Sequence, residues 1–95
     1  MRTPEGYTKD EIRKYLKSVG AYFFCPVQQG FGQQTVDILV CFRGRFMAIE
    51  CKREGKVPTP RQEAKLKEIR DAMGIAFCAW SADDVRRQLE MHGFL

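Results

Sequence analysis

Residues 36–53, VDILVCFRGRFMAIECKR, constrain this chain more than any other stretch. Over 36–42, Val36, Ile38, Val40 and Phe42 alternate with Asp37, Leu39 and Cys41, so both faces of an extended strand are apolar except at Asp37. That pattern belongs to a buried central strand. Over 45–53, Phe46, Ala48, Glu50 and Lys52 share one face and Met47, Ile49 and Cys51 the other. Between the runs stands Arg43-Gly44. A two-residue turn there sets Phe42 opposite Arg45 and makes opposed residue numbers sum to 87 along the ladder, so that Asp37 faces Glu50. A four-residue loop about the same pair keeps this register, whereas a three-residue loop pairs Asp37 with Ile49 and sends the acids to opposite faces. In the first register the two Cβ atoms stand roughly 4.5–5.5 Å apart. Carboxylates that close repel unless a proton or a cation lies between them.

The chain has 95 residues, enough for one small domain over 1–95 with a single core. Its net charge is +4, and the excess is uneven: residues 1–62 carry 11 basic and 6 acidic side chains, residues 63–95 carry 5 and 6. The basic half contains the charged hairpin, which favours a polyanionic partner. Cys25, Cys41, Cys51 and Cys78 each sit in an apolar run without C-x-x-C spacing, and are expected to be reduced core residues rather than zinc ligands or disulfides. No segment has the apolar length of a membrane span, and the N-terminus lacks a signal-peptide core. The expectation is a soluble cytoplasmic protein, in the host cytoplasm if phage-encoded, with no membrane partner and no small-molecule organic cofactor.

Helix signals flank the hairpin. Residues 1–7 read as a polar lead-in, and Thr8 with Glu11 forms a T-x-x-E capping box opening a first helix. Ile12, Tyr15, Leu16 and Val19 line its inner face, Lys9, Arg13, Lys14 and Lys17 its outer one, and Gly20 stops it. Residues 21–27 form an aromatic strand whose Pro26 places its end at an edge or bulge. The loop QQGFGQQT over 28–35 reads equally as a surface turn or a substrate-contacting loop. Beyond the hairpin, Thr59, Pro60 and Gln62 start a second helix, with Gln62, Leu66, Ile69 and Met73 on one face and Gly74 closing it. Gln62 serves either the capping box or the sheet-facing stripe. Residues 75–80 make a buried strand, and Ser81 with Asp84 caps a last helix whose Val85 and Leu89 face inwards. The expected class is α/β, in the order α-β-β-β-α-β-α, with a mixed central sheet flanked by helices.

Lys52, two residues past Glu50, projects from the same face, so Asp37, Glu50 and Lys52 converge. Two carboxylates suit a hard cation such as Mg²⁺, which can stabilise charge on a phosphate oxygen. The backbone carbonyl of Cys51 is a further candidate ligand. The competing explanation is a buried salt bridge of Lys52 with either acid, a costly arrangement in a small core unless something is gained.

Asp37, Glu50 and Lys52, spaced D-x12-E-x-K on a hairpin after a leading helix, resemble the PD-(D/E)XK nuclease superfamily with its restriction-endonuclease-like core. The following G-K-x-x-T-x-x-Q, Gly55 to Gln62, resembles its VRR-NUC branch as found in stand-alone phage-type nucleases, related to archaeal-type Holliday-junction resolvases. The resemblance spans about residues 8–90. Val36 stands where the name-giving proline would be. The resemblance implies Asp37 and Glu50 as metal ligands, Lys52 as the catalytic lysine, Glu11 as an additional acidic site residue and Gln62 as the glutamine after the motif. Glu11 and Gln62 are equally explained as helix caps. It further implies a Mg²⁺- or Mn²⁺-dependent endonuclease hydrolysing DNA by in-line attack of water, and a homodimer, towards which Phe23, Phe31 and Phe94 are candidate surplus apolar residues. A domain this small offers little surface for a long sequence-specific site, so branched, junction or flap DNA is the expected substrate. The alternatives are a Holliday-junction resolvase proper, a catalytically inactive nuclease-fold module that binds DNA or a partner, and a nuclease subunit of a larger assembly.

Overall fold

Arg43 and Gly44 both take positive φ, 51° and 80°, the combination of a two-residue type I′ hairpin turn. An arginine is unusual there, and its side chain is tied at both ends of the guanidinium stem: Nη1 donates to the Phe94 carbonyl at 2.8 Å, and the group sits 5.0 Å from the centre of the Phe42 ring. The turn fixes the expected ladder, from Phe42 opposite Arg45 to Ile38 opposite Ile49.

In this computed structural model, which describes residues 3–27 and 35–95, the elements are α1 (Pro4–Ser18), β1 (Tyr22–Phe24), β2 (Ile38–Phe42), β3 (Arg45–Cys51), α2 (Pro60–Asp71), β4 (Ile75–Ala79) and α3 (Ala82–Met91). The order is the expected one. The loop over 28–35 lies outside the described residues apart from Thr35, as does Phe31. The sheet runs β1-β2-β3-β4, with β1 and β2 antiparallel to their successors and β3 parallel to β4 through the α2 crossover. Helices α1 and α3 pack against each other on one face. There Ile12, Leu16, Ile38, Val40, Met47, Ile49, Phe77, Val85 and Leu89 form the main core. Helix α2 covers the other face over β3 and β4, where Leu66 is fully buried against Val36, Ala48 and Ala76.

Several sequence expectations are corrected. Helix α1 begins a full turn before Thr8: Thr3 is the N-cap, its hydroxyl accepting from the Gly6 N–H at 3.0 Å, and Pro4 fills the first helical position. Thr8 lies inside the helix, its hydroxyl donating to the Pro4 carbonyl at 3.3 Å, so Thr8 and Glu11 form no capping box. Lys9 is half-buried rather than on the outer face. Strand β1 is only three residues long, in the expected edge position. Met73 leaves the α2 stripe, since it takes a positive φ of 74° and is exposed. Its N–H donates to the Arg70 carbonyl and that of Gly74 to the Ile69 carbonyl, both at 2.9 Å, a Schellman closure with Met73 in the left-handed position. Gly74 is required for space instead, because a Cβ there would stand 2.8 Å from Ile69 Cγ2 and 3.2 Å from Phe46 Cδ1.

Helix α2 leaves the β1–β2 half of its sheet face open. Cys41 is therefore exposed rather than core, and Tyr22, Phe24 and Phe46 are exposed with it. Cys25 and Cys78 are half-buried, Cys51 is buried, and all four thiols are free. Phe23 and Phe94 are partly buried and pack against the core. Among the described residues no helix is long and apolar enough to cross a membrane.

Candidate active site

The regular β2–β3 ladder stops at Ile38 and Ile49, one residue short of the acids. Asp37 sits in a bend just before β2, and its side chain continues the pairing: Oδ2 accepts the Cys51 N–H at 2.8 Å. The Lys52 N–H donates in the other direction, to the Ala79 carbonyl of β4 at 3.0 Å. Asp37, Glu50 and Lys52 are thus brought to one end of the sheet, where β2 begins and the parallel strands β3 and β4 end.

Glu50 is 3% exposed and Lys52 9%. Burial, and then the adjacent Asp37, push the Glu50 carboxyl up to about 9, against the attraction of Lys52. Glu50 Oε1 accepts from Gln62 Nε2 at 3.3 Å, while Oε2 is buried with no donor. Glu50 and Asp37 are close enough for a hydrogen bond once one of them is protonated, so as two carboxylates they face each other as acceptors only. A cation supplies what that pair lacks. Among the described residues no group of three or more His, Cys, Asp or Glu side chains could hold a metal. Any ion held here would take its protein ligands from the two carboxylates and main-chain oxygen, a hard donor set suited to Mg²⁺ or Mn²⁺.

Gln62 fills both of its proposed roles at once. Its Oε1 accepts from the Thr59 N–H at 2.9 Å, and its own N–H donates to Thr59 Oγ1 at 3.2 Å, completing the capping box of α2. Its Nε2 remains for Glu50. Glu11 is not brought to the cluster. Its side chain is 62% exposed and lies 3.5 Å from Lys14 Nζ. The acid that α1 delivers is Glu5, in the first turn, with Oε1 3.8 Å from Lys52 Nζ and a field that also raises Glu50. Sequence reasoning passed over Glu5 because it set the helix start at Thr8. The Thr3-Pro4 pair, the same Thr-Pro start that opens α2 at Thr59-Pro60, was the signal that could have found it.

The thiol pKa values of both neighbouring cysteines are raised. Burial and then Asp37 raise the Cys51 thiol, and burial and then Glu50 push Cys78 up to about 12, so both stay protonated at neutral pH.

No family model matches the sequence, and no curated protein matches it. Solved structures do. One described as a VRR_NUC domain superposes with a TM-score of 0.77 over 97% of this chain and 99% of its own length, at 23% identity. The fold is that of a VRR_NUC domain. At that identity the likeness speaks for architecture, and it agrees with the nuclease branch that Asp37, Glu50, Lys52 and Gln62 resemble in sequence. The superposition covers nearly the whole of both chains.

Proposed function

We propose that this chain is a divalent-metal-dependent endodeoxyribonuclease that hydrolyses phosphodiester bonds in branched or otherwise structured DNA, working as a homodimer. The observation that carries the reading is the buried Glu50 Oε2, without a donor, beside a second carboxylate and a nearly buried lysine. Removing two acids and a lysine from water is costly for a domain of this size, and a hard cation with an anionic substrate offsets that cost. Asp37, Glu50 and the main-chain carbonyl of Cys51 would hold Mg²⁺ or Mn²⁺, whose charge would let both acids ionise together and would polarise a phosphate oxygen.

The chain's own groups do the remaining work. Gln62 fixes the orientation of Glu50, and the main-chain N–H of Cys51 fixes Asp37. Lys52, anchored by Glu5, supplies a fixed positive charge for the phosphorane-like transition state or orients the attacking water. With little surface beyond the site, selection falls on DNA shape rather than long sequence, and pairing of two copies would place two sites on one branched substrate.

The test is a cleavage panel of junction, flap, single-stranded and plain duplex DNA with Mg²⁺ and with Mn²⁺. Wild type should cut at least one branched form and Lys52→Ala none. Equal behaviour of the two proteins on every form removes the enzyme reading. Unchanged Mn²⁺ affinity of Asp37→Asn by calorimetry removes Asp37 as a ligand.

A further inference from the structure

Between α1 and the start of α3 lies a cleft of about 420 Å³ lined by Tyr7, Thr8 and Glu11 of α1 and by Trp80, Ser81, Ala82 and Asp83. Its volume falls within the range of small-ligand clefts, about 300–1,000 Å³. Two short stretches of chain connect it to the candidate active site. Trp80 directly follows Ala79, whose carbonyl accepts the Lys52 N–H. Tyr7 lies two residues after Glu5, which pairs with Lys52.

The lining is chemically selective. Tyr7 is 57% exposed and Trp80 39%, so both present ring surface to solvent. The Trp80 ring is held in place: its indole N–H donates to the Lys56 carbonyl at 2.6 Å, and its main-chain N–H donates to Asp84 Oδ2 at 2.8 Å. Among the described residues the charged groups in the lining are the carboxylates of Glu11, which lies 3.5 Å from Lys14 Nζ, and of Asp83. Asp83 is fixed from outside by Arg86 at 2.7 Å and Arg87 at 3.0 Å. The cleft thus keeps carboxylate oxygens as acceptors, although both acids are paired with cations. It suits a flat neutral ring that stacks on aromatic faces and donates N–H groups to carboxylates.

We propose that this cleft binds an unpaired nucleobase of the DNA strand next to the scissile phosphate, stacked against Trp80 and Tyr7, with an exocyclic amino group donated to Glu11 or Asp83. Adenine and cytosine fit, since each carries such an amine, and thymine fits less well. This rests on the nuclease reading, because only a DNA substrate brings a base to this position. It gives that reading a source of structure selectivity: a flap, fork or junction offers an unpaired base beside the cut, and an intact duplex does not.

Trp80 is the chain's single tryptophan, so its emission reports the cleft directly. With a chelator present to prevent turnover, the intact protein is titrated with short single-stranded oligodeoxyadenylate, with oligothymidylate, with an abasic strand of equal length and with a blunt duplex. Oligodeoxyadenylate should quench the emission and bind several-fold more tightly than oligothymidylate. The abasic strand and the duplex should leave it largely unquenched. Tyr7→Ala, an exposed substitution, should weaken oligodeoxyadenylate binding by at least roughly fivefold, the low end for loss of one base–aromatic stack. Quenching by the abasic strand or the duplex equal to that by oligodeoxyadenylate overturns the proposal, as does unchanged affinity in Tyr7→Ala. If Lys52→Ala abolishes cleavage while no strand quenches Trp80, the base site falls and the nuclease stands. Selective quenching with no DNA form cut means the reverse.

Discussion

Replacing Glu50 by glutamine should stabilise the metal-free protein, and by an amount that grows with pH. In the fold the Glu50 carboxyl is raised from 4.5 to about 9, so between those values the folded protein holds a proton that the unfolded chain has released. Stability therefore falls as pH rises through this window, by about 1.4 kcal/mol per pH unit for one such group. It is fully retained only below the unfolded value. At pH 7 that amounts to about 3 kcal/mol relative to an uncharged isostere of the same shape, with water penetration and local relaxation reducing it. The measurement is thermal or urea unfolding of wild type and Glu50→Gln in chelator at several pH values between 5 and 8. The difference between the two proteins should widen with pH, and a shift of 1 kcal/mol corresponds to about 4–8 °C in a domain of this size. Taking the difference removes from the comparison the titrating groups that do not interact with Glu50. Adding Mg²⁺ at pH 8 should raise the wild-type midpoint and leave that of Glu50→Gln nearly unmoved. Parallel pH curves for the two proteins would refute the reasoning, because they would mean that Glu50 titrates normally in the fold.

Gln62→Glu and Gln62→Ala separate the two bonds of one amide: the first keeps a capping acceptor for the Thr59 N–H but loses the donor to Glu50, so it should cut cleavage sharply with little loss of helix stability, while the second should lose both, with about 1 kcal/mol of stability; circular dichroism melts beside a nicking assay read the two. Glu5→Gln should lower the cleavage rate by about 10- to 100-fold, as losing a group that orients a site residue does, with a melting temperature near wild type because its half-exposed ion pair contributes under about 1 kcal/mol; a rate within roughly twofold of wild type would remove Glu5 from the site. Gly74→Ala should destabilise by about 1–3 kcal/mol through the clash with Ile69 and Phe46, and an unchanged urea midpoint would show that the α2–β3 contact yields freely.

The hairpin was legible because a two-residue turn leaves one register, and the alternation of apolar residues then decides which side chains meet. That argument needed no knowledge of the rest of the fold. The start of α1 was not legible in the same way. Thr3-Pro4 and Thr8-x-x-Glu11 are both valid helix openings, and Ile12 and Leu16 lie far enough along to be buried from either start. Starting the helix at Thr8 left out Glu5, the α1 acid that pairs with Lys52, and drew attention to Glu11, which pairs with Lys14. The exposure of Cys41 was hidden for another reason. Apolar alternation marks faces that can be buried, but whether they are depends on the reach of α2, which stops over β3 and β4. Glu50's bond to Gln62 was also beyond a periodicity argument, since a capping glutamine still has a free amide nitrogen whose direction depends on how α2 meets β3.

That shared amide makes the order of α2's first turn and the presentation of Glu50 a single event. When the turn frays, Thr59 loses its acceptor and Glu50 loses the Gln62 donor together. Exchange of the Thr59 amide hydrogen therefore reads how often the site comes apart. A ligand that steadies Glu50 should slow that exchange from across the helix cap, without touching Thr59 itself.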